Sequence, residues 1–169
     1  MGLLDMVMAR GVEATGLRGQ VETLVLAPPD LVYQLLSDVT RMGEWSPECY
    51  CCQWLDGATA PAVGARFKGY NRRGWVRWST ICRVTEAEPG RLFAFETRPA
   101  GMKVQSRWRY ELEPAPDGTR LRESFEGLWY IRMVSRLFFS GKSPRVRLTQ
   151  LEESARQTLE RIKAAAEAG

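Results

Sequence analysis

Along residues 143–166, SPRVRLTQLEESARQTLERIKAAA, apolar positions return at steps of three and four: Leu148, Leu151, Ala155, Leu159, Ile162 and Ala166. That period lays them on one stripe of a helix. Arg147, Gln150, Glu153, Arg156, Gln157, Glu160 and Lys163 fall mostly on the other face. Ser143 suits an N-cap, and Pro144 then takes the first helical position, where a missing N–H does no harm. At ~1.5 Å per residue the helix is about 35 Å long and needs a wide apolar surface to lie on.

The chain before it changes period from four to two. Arg18–Ala27 alternates as a strand, with Val21, Thr23 and Val25 on one face. Pro28-Pro29-Asp30 ends it and opens a helix over residues 31–39, with Leu31, Leu35 and Val32 facing inward, followed by a short helix over Thr40–Glu44 that Trp45-Ser46-Pro47 breaks. Six strands are then predicted: Cys49–Leu55, Ala65–Asn71, Trp75–Glu86, Leu92–Arg98, Lys103–Glu113 and Thr119–Glu126. The Gly- and Pro-bearing connections between them are short, so neighbouring strands run antiparallel. Val76, Trp78, Thr80, Cys82 and Val84 oppose Arg77, Ser79, Ile81 and Arg83; Ser106, Trp108, Tyr110 and Leu112 oppose Arg107, Arg109 and Glu111; Leu121, Glu123 and Phe125 oppose Arg120, Arg122, Ser124 and Glu126. One face of the sheet is wet, and the other curls around the long helix. The fold class is therefore α+β.

Two stretches stand apart. Residues 1–17 read as an N-terminal extension with two helical turns on Leu3, Leu4, Val7 and Met8, packed on the body or used as a contact in a homodimer; residues 18–169 form the domain. Residues 127–140, GLWYIRMVSRLFFS, are apolar nearly all round, which means burial on several sides, a lid over a ligand mouth or a partner-binding surface.

Composition adds exclusions. The 169 residues suffice for one domain with its own core. A net charge of +4, scattered rather than in runs, argues against nucleic acid as the partner. No apolar run approaches the roughly 18 residues of a membrane span, so no stable membrane insertion is expected. With no signal-peptide pattern the expected place is the cytoplasm, where the four cysteines stay reduced. The chain has no histidine, which removes Ser-His-Asp and Cys-His catalysis and every His-containing metal site.

Strand, two short helices, an antiparallel sheet and a long final helix is the order of the helix-grip fold, and the sequence resembles the START-like (SRPBCC) superfamily in its polyketide cyclase/dehydrase-like branch. The likeness covers about residues 18–166. It is carried by Leu26-Ala27-Pro28-Pro29-Asp30-Leu31-Val32-Tyr33, by Ser37-Asp38-Val39-Thr40-Arg41-Met42-Gly43-Glu44-Trp45-Ser46-Pro47, by Gly64-Ala65-Arg66-Phe67-Lys68-Gly69-Tyr70-Asn71-Arg72 and by Thr119-Arg120-Leu121-Arg122-Glu123-Ser124. The resemblance implies a cavity between the concave sheet and the long helix, with no cofactor and no metal. Phe67, Gly69, Asn71, Trp78, Thr80, Cys82, Phe93, Phe95, Trp108, Tyr110 and Glu123 match its lining positions, with Trp45, Trp129 and Met133 near the mouth.

Glu123 is the residue of most chemical interest. A carboxyl alternating with Leu121 and Phe125 points into the core, where it is held by a buried partner or takes a raised pKa and serves a ligand. Asn71, Tyr110 and Thr80 offer neutral polar groups on the same face, as a small-molecule pocket requires. The expected function is binding of a hydrophobic, ring-containing small molecule of lipid or polyketide type. The alternatives are a cofactor-free cyclase or dehydratase, with Glu123 as general base and Tyr110 or Asn71 polarising a carbonyl, and a partner-binding module built on residues 127–140. Cys49, Cys51 and Cys52 fail as a metal site because strict alternation sends Cys49 and Cys51 one way and Cys52 the other.

Overall fold

The computed structural model describes residues 11–13, 16–99, 106–128 and 144–169. Its element order is β1 (Gly11–Glu13), β2 (Gly16–Val25), α1 (Pro29–Ser37), a 3-10 turn (Val39–Arg41), α2 (Met42–Trp45), β3 (Cys49–Trp54), β4 (Arg66–Arg73), β5 (Val76–Glu88), β6 (Leu92–Pro99), β7 (Ser106–Ala115), β8 (Gly118–Leu128) and α3 (Pro144–Ala168). The strands form one antiparallel sheet in the order β1-β2-β8-β7-β6-β5-β4-β3. Every pairing joins chain neighbours except β2 with β8, which brings the first long strand beside the last.

The long helix follows its pattern: Leu148, Leu151, Ala155, Leu159, Ile162 and Ala166 are all buried. They meet Val21, Val25, Phe67, Val84, Phe93, Leu112, Leu121 and Phe125 from the concave face of the sheet in a single core. This is the helix-grip arrangement that the resemblance implied. On the convex face the arginines are mostly paired across strands: Arg122 with Glu22 at 2.8 Å, Arg18 with Glu126 at 2.8 Å and Arg107 with Glu126 at 3.5 Å.

Three expectations change. Residues 11–13 of the extension form a strand rather than helix, hydrogen-bonded to Gly16–Arg18, and β2 starts at Gly16; residues 1–10 lie outside the described residues. Backbone pairing along the open edge of β2 decides the conformation there, since Gly11 and Gly16 are poor helix formers. In α1 the buried positions are Val32, Tyr33, Leu36 and Ser37, while Leu31 and Leu35 are only half-buried. The helix starts at Pro29, one residue after its cap, and it docks with Val32 and Leu36, four apart on one face, in the core. In β3 the alternation slips. A bulge between Cys49 and Cys51 turns Cys49 and Cys52 inward and leaves Cys51 exposed. The apolar segment after Leu128, the expected N-cap Ser143 and residues 100–105 lie outside the described residues.

Candidate functional site

Between the concave face and α3 the two layers do not close completely. A cavity of about 110 Å³ remains, walled by Phe67, Thr80, Cys82, Phe95, Trp108, Tyr110 and Glu123 from the sheet. Trp45 and Met42 close it from α2, and Leu151, Ala155, Thr158 and Ile162 close it from α3. β5, β6 and β7 each contribute side chains two residues apart, Thr80 with Cys82, Phe95 with Thr97 and Trp108 with Tyr110, the consequence of the strand period. From α3 the contributions come at steps of three and four, so the stripe that packs the core also faces the space.

The wall is mainly apolar and aromatic, with the hydroxyls of Thr80, Thr97 and Thr158 and one buried carboxyl–phenol pair set into it. Tyr110 on β7 and Glu123 on β8 are register partners, and the tyrosine hydroxyl donates to Glu123 Oε1 at 2.9 Å. Glu123 is 2 % exposed, and its Oε2 has no hydrogen-bond partner among the described residues. Burial pushes the Glu123 carboxyl up to about 8, against a smaller downward pull from the tyrosine bond. Burial first, and the neighbouring carboxylate second, raise Tyr110 well above its ordinary value. A value of about 8 favours the protonated carboxyl at neutral pH, and with Oε1 accepting from Tyr110, Oε2 is the oxygen free to carry the proton. The result is an O–H donor held in a mainly apolar chamber. The indole N–H of Trp45 is likewise buried without a partner among the described residues.

A sulfur-rich corner borders this pair. The bulge in β3 brings Cys49 Sγ and Cys52 Sγ to 3.4 Å, with Met42 Sδ 3.8 Å from Cys52 Sγ. The Cys52 thiol holds Cys49 below its ordinary value, and the same contact, followed by burial, pushes Cys52 up. Burial pushes Cys82 up to about 12. Among the described residues no three His, Cys, Asp or Glu side chains converge as a metal site needs.

Of the residues singled out in the sequence, Trp45, Phe67, Asn71, Thr80, Cys82, Phe95, Trp108, Tyr110 and Glu123 all line the cavity. Gly69 sits behind the sulfur corner: a Cβ there would lie 3.4 Å from Thr80 Oγ1 and 3.5 Å from Cys52 Sγ. Trp78 and Phe93 do not reach the space. Trp78 is half-buried opposite Asn71, and Phe93 is packed fully into the core beside Phe95. Trp129 and Met133 lie outside the described residues, as does most of the segment offered as a partner-binding surface. Sequence reasoning missed Cys49 and Cys52 because a bulge has no alternation signal. It also missed Thr97, whose hydroxyl is 2.6 Å from that of Ser106, which in turn accepts from the Trp108 indole N–H at 3.0 Å.

At one end of the cavity Glu48 ties three elements together. It accepts from Arg147 at the start of α3 at 2.7 and 3.1 Å, and from Arg73 at the end of β4 at 3.3 Å. Glu48 and Ser154 border both the cavity and an outer groove of about 630 Å³, so the groove marks the mouth.

The sequence profile of the family described as "Polyketide cyclase / dehydrase and lipid transport" matches residues 17–167. The chain belongs to this family. Among solved structures it is similar to the Polyketide_cyc-like protein Cgl2372 from Corynebacterium glutamicum, with 31% identity, 92% of this chain and 91% of that one covered, and a TM-score of 0.58. Two more distant likenesses concern the fold alone. The di-domain ARO/CYC StfQ of the steffimycin biosynthetic pathway has 14% identity and a TM-score of 0.72 over 89% of this chain and 50% of that one. A STAR-related lipid transfer protein from Xanthomonas axonopodis has 14% identity and a TM-score of 0.65 over 95% and 98%. No curated protein matches the chain.

Proposed function

We propose that this protein binds an uncharged, hydrophobic, ring-bearing small molecule that carries an oxygen acceptor, with the ring among Phe67, Phe95, Trp108 and Trp45 and the oxygen on the Glu123 carboxyl. The observation that carries the reading is Glu123 Oε2, a buried polar atom without a partner among the described residues, on a residue that lines a mainly apolar cavity. A buried donor left unsatisfied costs about 1–3 kcal/mol, which a ligand carbonyl or ether would recover. A space of about 110 Å³ takes something near one aromatic ring, and a longer ligand would extend past Asn71 and Glu48 into the groove. Family membership supports a hydrophobic ligand in general, and the wall favours a neutral one, since a protonated Glu123 offers a charged ligand no counter-charge in a buried site.

The test compares acetophenone with α-methylstyrene, which has nearly the same shape with a methylene in place of the carbonyl oxygen. The wild type should prefer acetophenone by roughly tenfold, a difference of one hydrogen bond, and the double variant Glu123→Leu/Tyr110→Phe should erase that preference while keeping the fold. Equal affinity of the wild type for both compounds would remove Glu123 from the reading.

A second reading, a cofactor-free cyclase or dehydratase, draws on the raised carboxyl. Tyr110 has committed its proton to Glu123, so Glu123 itself would polarise a substrate carbonyl or hand a proton to a leaving hydroxyl, as an acid rather than a base at neutral pH. Turnover would then fall as pH rises through about 8 and vanish in Glu123→Gln.

A further inference from the structure

The β4–β5 hairpin, RRGWVR, carries features that the cavity does not use. Gly74 takes a left-handed φ of +57° between the paired Arg73 and Val76, which makes a two-residue loop. At the tip Trp75 is 97 % exposed, more than any other large apolar residue among those described. Its ring covers nothing in the protein. Just behind it Arg72 and Arg77 are direct cross-strand partners on the convex face, and both are exposed. Like charges placed opposite each other destabilise a sheet unless something neutralises them. Among the described residues neither has a carboxylate partner; the only contact is Arg72 over the ring of Tyr50, at 5.6 Å to its centroid. Arg66 and Arg83 form another cross-strand arginine pair on this face, but there Asp56 holds Arg66 at 2.6 Å; in the pair at the hairpin neither arginine is matched among the described residues. Tyr50, itself exposed, and Tyr70 continue the aromatic patch below the tip, with ring centroids 6.4 Å apart, and Lys68 lies over the Tyr70 ring. The hairpin also stands at the mouth: Arg73 holds Glu48, and Arg72, Arg73 and Arg77 border the groove.

We infer that this hairpin docks on an anionic phospholipid bilayer, with Trp75 in the headgroup region and Arg72 and Arg77 on lipid phosphates, so that the cavity mouth faces the lipid. Tryptophan and tyrosine settle at membrane–water interfaces because an apolar ring and a polar edge are both satisfied there. Arginines near an anionic leaflet add an attraction that falls off within a Debye length. The indole enters the interface and no helix crosses it; among the described residues none is long and apolar enough to span a bilayer. The inference takes the cavity as a binding site for a hydrophobic molecule, which a lipid-facing mouth would exchange with the bilayer.

The experiment is co-sedimentation of the full chain, without added small molecule, on vesicles of phosphatidylcholine alone and of three parts phosphatidylcholine to one part phosphatidylglycerol. Binding is expected on the mixed vesicles only, weakening with added salt. Trp75→Ala and Arg72→Gln/Arg77→Gln should each weaken it, with roughly a fivefold loss per arginine; Trp75→Ala should keep the wild-type melting temperature because the ring is exposed, and the arginine variant should match or exceed it because the cross-strand repulsion is gone. Brominated acyl chains should quench fluorescence in the wild type more than in Trp75→Phe. Absence of binding to the mixed vesicles, or unchanged binding in Trp75→Ala, would overturn the inference. So would a concentration-dependent dimer that Trp75→Ala dissolves, since the occupant would then be a second copy of the chain. Acetophenone binding measured on the same variants separates the two claims: ligand binding intact with docking absent overturns only the membrane inference, and the converse overturns only the cavity reading.

Discussion

Glu123 decides the chemistry of the site because of where its two oxygens go. One is satisfied across the strand by Tyr110, and the other meets the cavity. The carboxyl's usual value near 4.5 is raised to about 8 by burial, so the folded chain keeps a proton that the unfolded chain releases. Between those two pH values the folded state binds more protons than the unfolded state. Stability is therefore fully present below about 4.5 and drains away as pH rises through 8. The span corresponds to a loss of roughly 5 kcal/mol, an upper figure for a fully buried group. Urea unfolding of the wild type and of Glu123→Gln across this range should give curves that diverge, the wild type losing ground to the variant as pH rises. Parallel curves would mean that Glu123 is charged or solvated in the folded protein. That the residue points inward was legible from Leu121-Arg122-Glu123-Ser124-Phe125, because alternation is a property of the chain alone. That one oxygen is taken by Tyr110 was not, because the pairing of Tyr110 with Glu123 depends on the register between β7 and β8.

At the scale of elements, periodicity carried most of the reading. The stripe Leu148-Leu151-Ala155-Leu159-Ile162-Ala166 is buried as its spacing requires, and the inward sets of β5, β7 and β8 follow their alternation, with Trp78 and Trp108 only half-buried. Two of the failures, in α1 and β3, are shifts of phase, while residues 11–13 follow edge pairing with β2. In α1 the face that docks on the core is the one through Val32 and Leu36 rather than Leu31 and Leu35, and in β3 one extra residue in the bulge exchanges the roles of Cys51 and Cys52. The bulge makes a simple prediction about thiol reactivity. A small water-soluble disulfide reagent should label Cys51 quickly, and Cys49, Cys52 and Cys82 only at the rate of opening, because those three are buried. Fast labelling of Cys52 with Cys51 protected would restore unbroken alternation and remove the sulfur corner from the cavity.

For the whole molecule, the architecture follows from a strand-rich chain closed by one long amphipathic helix. α3 lies across the concave sheet, yet Ala155 and Thr158 are too small to fill the space beneath it, and Phe67, Phe95 and Trp108 stop short of closing it. No sequence pattern reports such a shortfall, since it depends on summed side-chain volumes across two layers. The resemblance supplied the expectation of a cavity, and the geometry gives its size, its polar point and its mouth at the clasp of Glu48 with Arg73 and Arg147. The most direct test is nuclear Overhauser contact between bound acetophenone and the protein, recorded on the wild type and on two variants that fill the space, Ala155→Phe and Thr158→Phe. The account expects contacts from the ligand ring to the Ala155 and Thr80 methyl groups and to Phe95 in the wild type. Both variants should fold, and in both the contacts should disappear together with binding. Contacts confined to surface residues, or binding undiminished in both folded variants, would contradict it.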